Sequence, residues 1–178
     1  MAIFKVFGLI AVFSIFDLVL GGSPLSGYVE IISRKTGKKV GVENIDDETV
    51  FLYAKDNLTL TTWKVVPTCF SGESTRAGYW IRLKDHEKWR WNHRWGCRFT
   101  NTSIIAYKDG KDTNENNYFY YDITTGEIEV CKKNFLYVDP SDCSMKSLDV
   151  DKDKKDDRKF SVRVVKLIPA AEIPDCWK

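Results

Sequence analysis

The sequence predicts an all-β protein made of three similar units, and three observations support this prediction. A glycine followed by alternating polar and apolar residues recurs at Gly27, Gly78 and Gly126. β-branched and aromatic residues, which favour strands, dominate the segments between these glycines. After position 22, no window of about 11 residues shows the apolar spacing of an amphipathic helix. One unit of about 50 residues cannot bury its own apolar face, so the three must share a core.

Three kinds of element recur in the same order in each unit. The unit opens with two short predicted strands around a polar turn, in residues 27–40, 78–89 and 126–138. An apolar strand that runs into a Lys-Asp turn follows, in residues 50–56, 103–110 and 147–153. A large aromatic residue and an alternating strand end the unit, in residues 63–66, 119–121 and 160–165. Each unit therefore contains roughly four strands.

This arrangement resembles the β-trefoil superfamily. The resemblance implies six strands in a short barrel, three hairpins that cap it, and units at about 27–77, 78–125 and 126–168, with a tail at 169–178. A lipocalin-like up-and-down barrel is the alternative, because it suits this size and also uses disulfides. That fold does not repeat three times and usually adds a helix near its end, so the β-trefoil is favoured.

The amino-terminal residues 1–22 have the pattern of a secretory signal peptide. Lys5 precedes an apolar run at 6–16, and Gly21 and Gly22 supply small residues for cleavage. A membrane anchor would need about 20 apolar residues, and Asp17 interrupts the run before that length. We therefore predict that residues 23–178 form a single secreted, extracellular domain with no membrane span.

The cysteines and sequons agree with export. Cysteines pair in oxidising compartments, and an odd number leaves one free or bonded to another chain. We predict the pairs Cys69–Cys97 and Cys131–Cys143, with Cys176 left over for a possible covalent dimer. Two sequons predict glycosylation, at Asn57 and Asn101.

Charge and motif content argue against several functions. The formal net charge is only +2, with both signs interspersed, whereas nucleic-acid binders show a strong basic excess. No Gly-x-Ser-x-Gly elbow is present, and the two histidines, His86 and His93, match no zinc spacing with Cys97. We expect neither an enzyme nor a protein with a metal or cofactor.

One stretch is rich in groups that bind ligands. Trp89, Trp91 and Trp95 alternate with cations and amides, and such residues form both glycan sites and protein hot spots. The candidate ligand-binding residues are Trp89, Arg90, Trp91, Asn92, His93, Arg94 and Trp95. Alternation also allows Trp89 and Trp91 to point into the barrel, which leaves Trp95 as the better exposed candidate.

A second candidate is the polar connection between the first and second units. In β-trefoils similar to the Kunitz soybean-type inhibitors, a protruding loop after the fourth strand enters the target protease. The resemblance places Phe70, Arg76 and Ala77 in the corresponding stretch, although the family's amino-terminal signature is absent. A plain connector is the other interpretation. The sequence thus predicts glycan or protein-surface recognition, with protease inhibition or a structural role in a secreted fluid as alternatives.

Overall fold

A computed structural model describes residues 24–69, 77–97, 99, 101–108, 117–131, 134–149, 155–169 and 174–178. Within these residues the chain forms thirteen strands, numbered in chain order. They are β1 (Gly27–Ser33), β2 (Val40–Gly41), β3 (Thr49–Phe51), β4 (Tyr53–Ala54), β5 (Trp63–Cys69), β6 (Ala77–Leu83), β7 (His86–His93), β8 (Ile104–Lys108), β9 (Phe119–Asp122), β10 (Glu127–Val130), β11 (Asn134–Val138), β12 (Met145–Asp149) and β13 (Phe160–Leu167). Short 3-10 helices lie at Lys155–Arg158 and Asp175–Trp177.

Six of these strands form a barrel. Strand β1 pairs with both β13 and β5, β5 pairs with β6, β6 with β9, and β9 with β10, all antiparallel. A bridge between Glu127 and Lys159 joins β10 to the start of β13 and closes the ring. The Phe160 N–H donates to the Gly126 carbonyl at 2.7 Å beside that bridge. The all-β, β-trefoil fold predicted from the sequence is therefore confirmed.

The remaining strands form hairpins that cap the barrel. They pair as β2–β4, β7–β8 and β11–β12, and β3 joins β8. Leu52 N–H donates to the Ile104 carbonyl at 3.2 Å, and Met145 N–H donates to the Leu52 carbonyl at 2.8 Å. All three side chains are fully buried. The hairpins thus meet through backbone hydrogen bonds around a shared apolar centre.

Aromatic rings fill the region between barrel and cap. Trp63, Phe119 and Phe160, the large aromatic residues that recur in the three units, begin β5, β9 and β13, and all three are buried. Trp91 from β7 makes edge contacts with Trp63 and Phe119, at centroid distances of 5.3 and 5.5 Å. Such edge-to-face arrangements are favoured for aromatic pairs.

Strand β12 begins earlier than the sequence predicts. The predicted strand covers 147–153, whereas β12 pairs with β11 from Met145 to Asp149. Asp139 and Asp142 cause the difference, because their carboxylates accept hydrogen bonds from the Ser141 and Ser144 N–H groups and complete the turn. In such turns an Asp side chain bonds to the backbone two residues further on. The second of these turns ends at Ser144, so the strand can begin at Met145.

The cysteines pair differently from the prediction. The structure forms Cys69–Cys176 and Cys97–Cys131, and Cys143 is the free thiol. Cys131 precedes β11 and Cys143 follows it, so they lie at opposite ends of a strand roughly 16 Å long. A disulfide needs Cα atoms within about 7 Å, which excludes the predicted Cys131–Cys143 pair. Because Cys176 is bonded within the chain, the predicted dimer through Cys176 is also wrong.

Residues near the two ends of the described chain meet beside β5 and β6. The Trp177 indole N–H donates to the Thr68 carbonyl at 3.1 Å, next to the Cys69–Cys176 disulfide. Its ring lies 4.9 Å from that of Tyr79, whose hydroxyl accepts a hydrogen bond from Leu25 N–H at 3.2 Å. Helices long and apolar enough to cross a membrane are absent from the described residues.

Candidate functional site

Strand β7 divides the predicted ligand-binding residues between two faces. Trp89, Trp91 and His93 alternate along the strand and are all buried. Arg90 and Asn92 face the other way and are half-buried, and the Asn92 amide donates to the Asn117 side chain. The core interpretation of Trp89 and Trp91 is therefore correct, and these five residues are not presented together at one surface.

His93 is held inside the cap. Its Nε2 lies 2.7 Å from the Ser147 hydroxyl, and both side chains have 0% exposure. The pair has the distance of a nucleophile and its base, but a substrate has no access to it. Burial lowers the pKa of His93 to about 4, so the ring is neutral near pH 7.

This burial predicts a loss of stability in mild acid. The pKa of His93 is lower in the folded chain than the usual value of about 6.5 for the unfolded chain, so the unfolded state binds more protons as pH falls. We expect the free energy of unfolding to decrease by about 3 kcal/mol between about pH 6.5 and pH 4 from this group. Urea titrations across this range measure it. His93→Gln keeps a polar partner for Ser147 but cannot titrate, so this part of the dependence of the unfolding free energy on pH should disappear. The same pH dependence in His93→Gln and the native protein would show that His93 is not its cause.

The loop after β7 carries the exposed part of the candidate stretch. We call residues 94–103, which join β7 to β8, the aromatic loop. Trp95 is 62% exposed and Phe99 is 55% exposed. Arg94 is also exposed, and its guanidinium carbon lies 4.9 Å from the centroid of the Trp95 ring and 5.0 Å from that of Phe51 on β3. Arg94, Trp95 and the half-buried Phe51 therefore form one aromatic and basic surface, and Phe99 is exposed on the same loop.

Hydrogen bonds within the aromatic loop fix its path. Arg94 N–H donates to the Ser103 carbonyl at 3.2 Å and so closes the base of the loop. Gly96 has a φ of 83°, a left-handed conformation that glycine adopts without a steric penalty. Its N–H donates to the His93 carbonyl at 3.2 Å, and its own carbonyl accepts from Phe99 N–H at 3.3 Å.

Neighbouring strands fix the loop from outside. The Cys97–Cys131 disulfide ties it to the end of β10. The Asn134 side chain donates to the Phe99 carbonyl at 3.4 Å, and the Tyr137 hydroxyl donates to the Asn101 side-chain oxygen at 2.7 Å. The exposed rings therefore stand on a segment with covalent and hydrogen-bonded supports.

Several predicted residues lie away from this surface or outside the described chain. Asn57 and Asn101 are both exposed, and their glycosylation stays a prediction. Phe70 and Arg76 lie outside the described residues, while Ala77 begins β6 and pairs with Cys69. Protease inhibition through Phe70, Arg76 and Ala77 therefore also stays a prediction. Among the residues that the structure describes, no group of three or more His, Cys, Asp or Glu side chains is placed to hold a metal ion.

Two aromatic residues at or beside this surface are not among the candidates predicted from the sequence. Phe99 is separated from Trp95 by Gly96, Cys97 and Arg98, and this proximity in one loop was a usable signal. Phe51 has no such signal, because it reaches Arg94 only through the pairing of β3 with β8.

Comparison with known proteins establishes the fold and no closer relationship. No family model matches the chain, and no curated protein sequence matches it, so the similarity to Kunitz soybean-type inhibitors has no support there. Solved structures do match. Cry35Ab1 has a TM-score of 0.61 at 15% identity, covering 85% of this chain and 39% of that chain.

Two further matches have similar overlap. A salivary protein of Culex quinquefasciatus from the cysteine- and tryptophan-rich family has a TM-score of 0.60 at 15% identity, covering 81% of this chain and 96% of its own. The ricin B-like lectin of Macrolepiota procera, solved with lactose, has a TM-score of 0.55 at 11% identity, covering 79% and 97%. At such low identities, the likeness shows a shared β-trefoil fold, and function must be argued from the site.

Proposed function

We propose that this protein is a secreted, non-enzymatic binding protein that recognises a glycan through the aromatic loop. The observation that carries the proposal is the exposure of Trp95 and Phe99 on one supported loop, at 62% and 55%. A large aromatic side chain that stays in water forgoes the favourable free energy of burial, and exposed apolar patches often mark binding sites. The flat C–H face of a pyranose ring suits an exposed indole.

The supports of the loop favour binding. A ligand that orders a flexible loop must overcome the lost conformational entropy, which weakens the observed affinity. Here the Cys97–Cys131 disulfide and the Arg94–Ser103 hydrogen bond restrict the loop before any ligand arrives. We infer that Trp95 is presented in a conformation close to the bound one.

The distribution of exposed apolar groups favours a glycan over a protein surface. The other exposed large apolar or aromatic residues among the described ones lie outside the aromatic loop, on β8, β9 and β13 and in the β9–β10 turn: Tyr107, Tyr120, Ile123, Val165 and Leu167. A standard protein interface buries about 800 Å² on each partner. Two exposed rings on one loop suit a ligand of a few sugar residues better than a surface of that size.

Secretion is part of the proposal. Two intrachain disulfides are expected in an oxidising compartment, which agrees with the predicted signal peptide. The fold is shared with a Culex salivary protein and with a lectin solved with lactose, and these supply an analogy at the level of the fold.

Replacement of Trp95 tests the proposal. On a glycan array of neutral and acidic oligosaccharides, we expect Trp95→Ala to weaken binding at least tenfold, or by about 1.4 kcal/mol, because the exposed stacking face is lost. Tyr120→Ala is the matched control, since Tyr120 is an exposed aromatic residue of the barrel strand β9, outside the loop. Thermal unfolding should be nearly unchanged in both variants. An array without any bound glycan, or equal binding by Trp95→Ala, would contradict the proposal.

A further inference from the structure

We propose that Arg94 makes this site selective for glycans that carry an acidic group, a carboxylate or a sulfate. The inference rests on the proposed glycan-binding function and adds a class of ligand to it. Three observations carry it: the packing of Arg94 on the Phe51 and Trp95 rings, the lack of an acidic partner for it among the described residues, and the charge of the loop.

The first observation is how Arg94 is held. Its guanidinium packs over both the Phe51 and Trp95 rings, at 5.0 and 4.9 Å from their centroids. Stacking uses the flat faces of the guanidinium and leaves the N–H groups around its edge available. Arg94 is exposed, which leaves it accessible to a ligand from solution. A planar fork of donors matches the two oxygens of a carboxylate or sulfate.

The second observation is that the described residues provide no acidic partner for Arg94. Other cations have one: Lys64 lies 2.6 Å from Glu87, Lys146 lies 2.6 Å from Asp139, and Arg163 pairs with Glu30. No such ion pair joins Arg94 to any carboxylate in the part of the chain that the structure describes. A stacked arginine without an acidic neighbour is ready to bind an anion from solution.

The third observation is the charge of the aromatic loop itself. Its ten residues include Arg94 and Arg98 but neither Asp nor Glu. Arg98 lies outside the described residues, so only its charge enters the argument. Over distances shorter than the Debye length of about 8 Å, such an excess raises the local concentration of anions.

Together, these three observations define the class of ligand. Because the guanidinium lies against the Trp95 ring, a ligand that stacks on the exposed part of that ring brings its substituents to within reach of the donors. The ligand therefore has a flat apolar face with an anionic group beside it, which describes a sialic acid, a uronic acid or a sulfated sugar. The whole-chain charge of +2 disfavours a nucleic acid with the same two features.

Three related oligosaccharides test the inference by titration calorimetry: lactose, 3′-sialyllactose and 3′-sulfated lactose. We expect both acidic probes to bind at least tenfold more tightly than lactose. Raising NaCl from 50 to 500 mM should remove most of this preference while leaving lactose binding nearly unchanged, because only the charged contact is screened. The salt titration uses the native protein and does not depend on any variant folding.

Matched variants locate the effect. In Arg94→Gln the ratio of acidic-probe affinity to lactose affinity should fall to near onefold, whatever the change in lactose affinity itself. Lys88→Gln removes the same charge from an exposed position of β7 and should keep the preference. Arg94→Lys should lose preference for the carboxylate, because a lysine provides a charge without the planar fork.

The outcomes separate this inference from the proposed function. Equal affinity for all three probes, or the same loss in Lys88→Gln as in Arg94→Gln, would overturn the acidic preference and leave glycan binding intact. If the protein binds neutral glycans on the array but neither acidic probe, the acidic preference is likewise overturned and glycan binding stands. Absence of binding to every glycan on the array would overturn both.

Discussion

Replacing both Cys69 and Cys176 by serine is expected to lower the free energy of unfolding by about 3–5 kcal/mol. The two cysteines are separated by 107 residues, so their disulfide removes a large share of the conformational freedom of the unfolded chain. In the chain-entropy account, the effect grows with the logarithm of the loop length and reaches about 4.7 kcal/mol for a loop of about 100 residues. The loss also frees the carboxyl-terminal residues that support Trp177 against Tyr79.

Urea unfolding under non-reducing conditions measures this change. The matched control is the double replacement of Cys97 and Cys131, whose disulfide closes a span of only 34 residues. That variant should lose about 1 kcal/mol less by the same loop-length relation. Equal stability of the Cys69→Ser, Cys176→Ser protein and the native protein would show that this disulfide does not form in solution.

Replacing Trp91 by alanine is expected to destabilise the protein by about 3–5 kcal/mol. Trp91 is fully buried and joins the rings of Trp63 and Phe119, so its removal leaves a cavity in the middle of the core. Packing is dense there, and neighbours from β5 and β9 cannot close the space without moving their strands. Calorimetric or urea unfolding measures the loss.

Trp91→Phe is the informative companion to this variant. None of the described residues accepts a hydrogen bond from the buried indole N–H of Trp91, so phenylalanine removes an unsatisfied polar group while keeping a ring. We expect Trp91→Phe to lose less than half as much stability as Trp91→Ala. A loss as large as that of alanine would mean that the shape of the indole matters more than its buried volume.

The face of each residue in β7 was predictable from the sequence. Alternation placed Trp89 and Trp91 in the core, and the same period of two assigns His93 to that face. His93 was predicted to bind a ligand because of its residue type, but alternation along the strand places it in the core. Its partner Ser147 lies on β12, and only the folded cap brings that hydroxyl to the ring.

The contacts between units were not predictable from the sequence. Cysteine pairing depends on which ends of strands meet, and the proximity in sequence of Cys131 and Cys143 suggested a bond that the extended strand β11 prevents. The surface around Arg94 likewise needs Phe51 from another hairpin. The repeats reveal the fold because each unit carries the pattern in its own sequence. Two residues of different units that meet in the folded protein are not marked by any pattern in the sequence around them.

The Cys69–Cys176 bond has a consequence for how the protein withstands cleavage. Together with the backbone between its two cysteines, the bond makes a closed covalent ring that includes the whole aromatic loop. A protease that cuts once anywhere in this ring opens it without releasing a fragment. Nicked protein would therefore migrate as an intact chain until reductant is added, and the exposed rings would stay attached to the barrel.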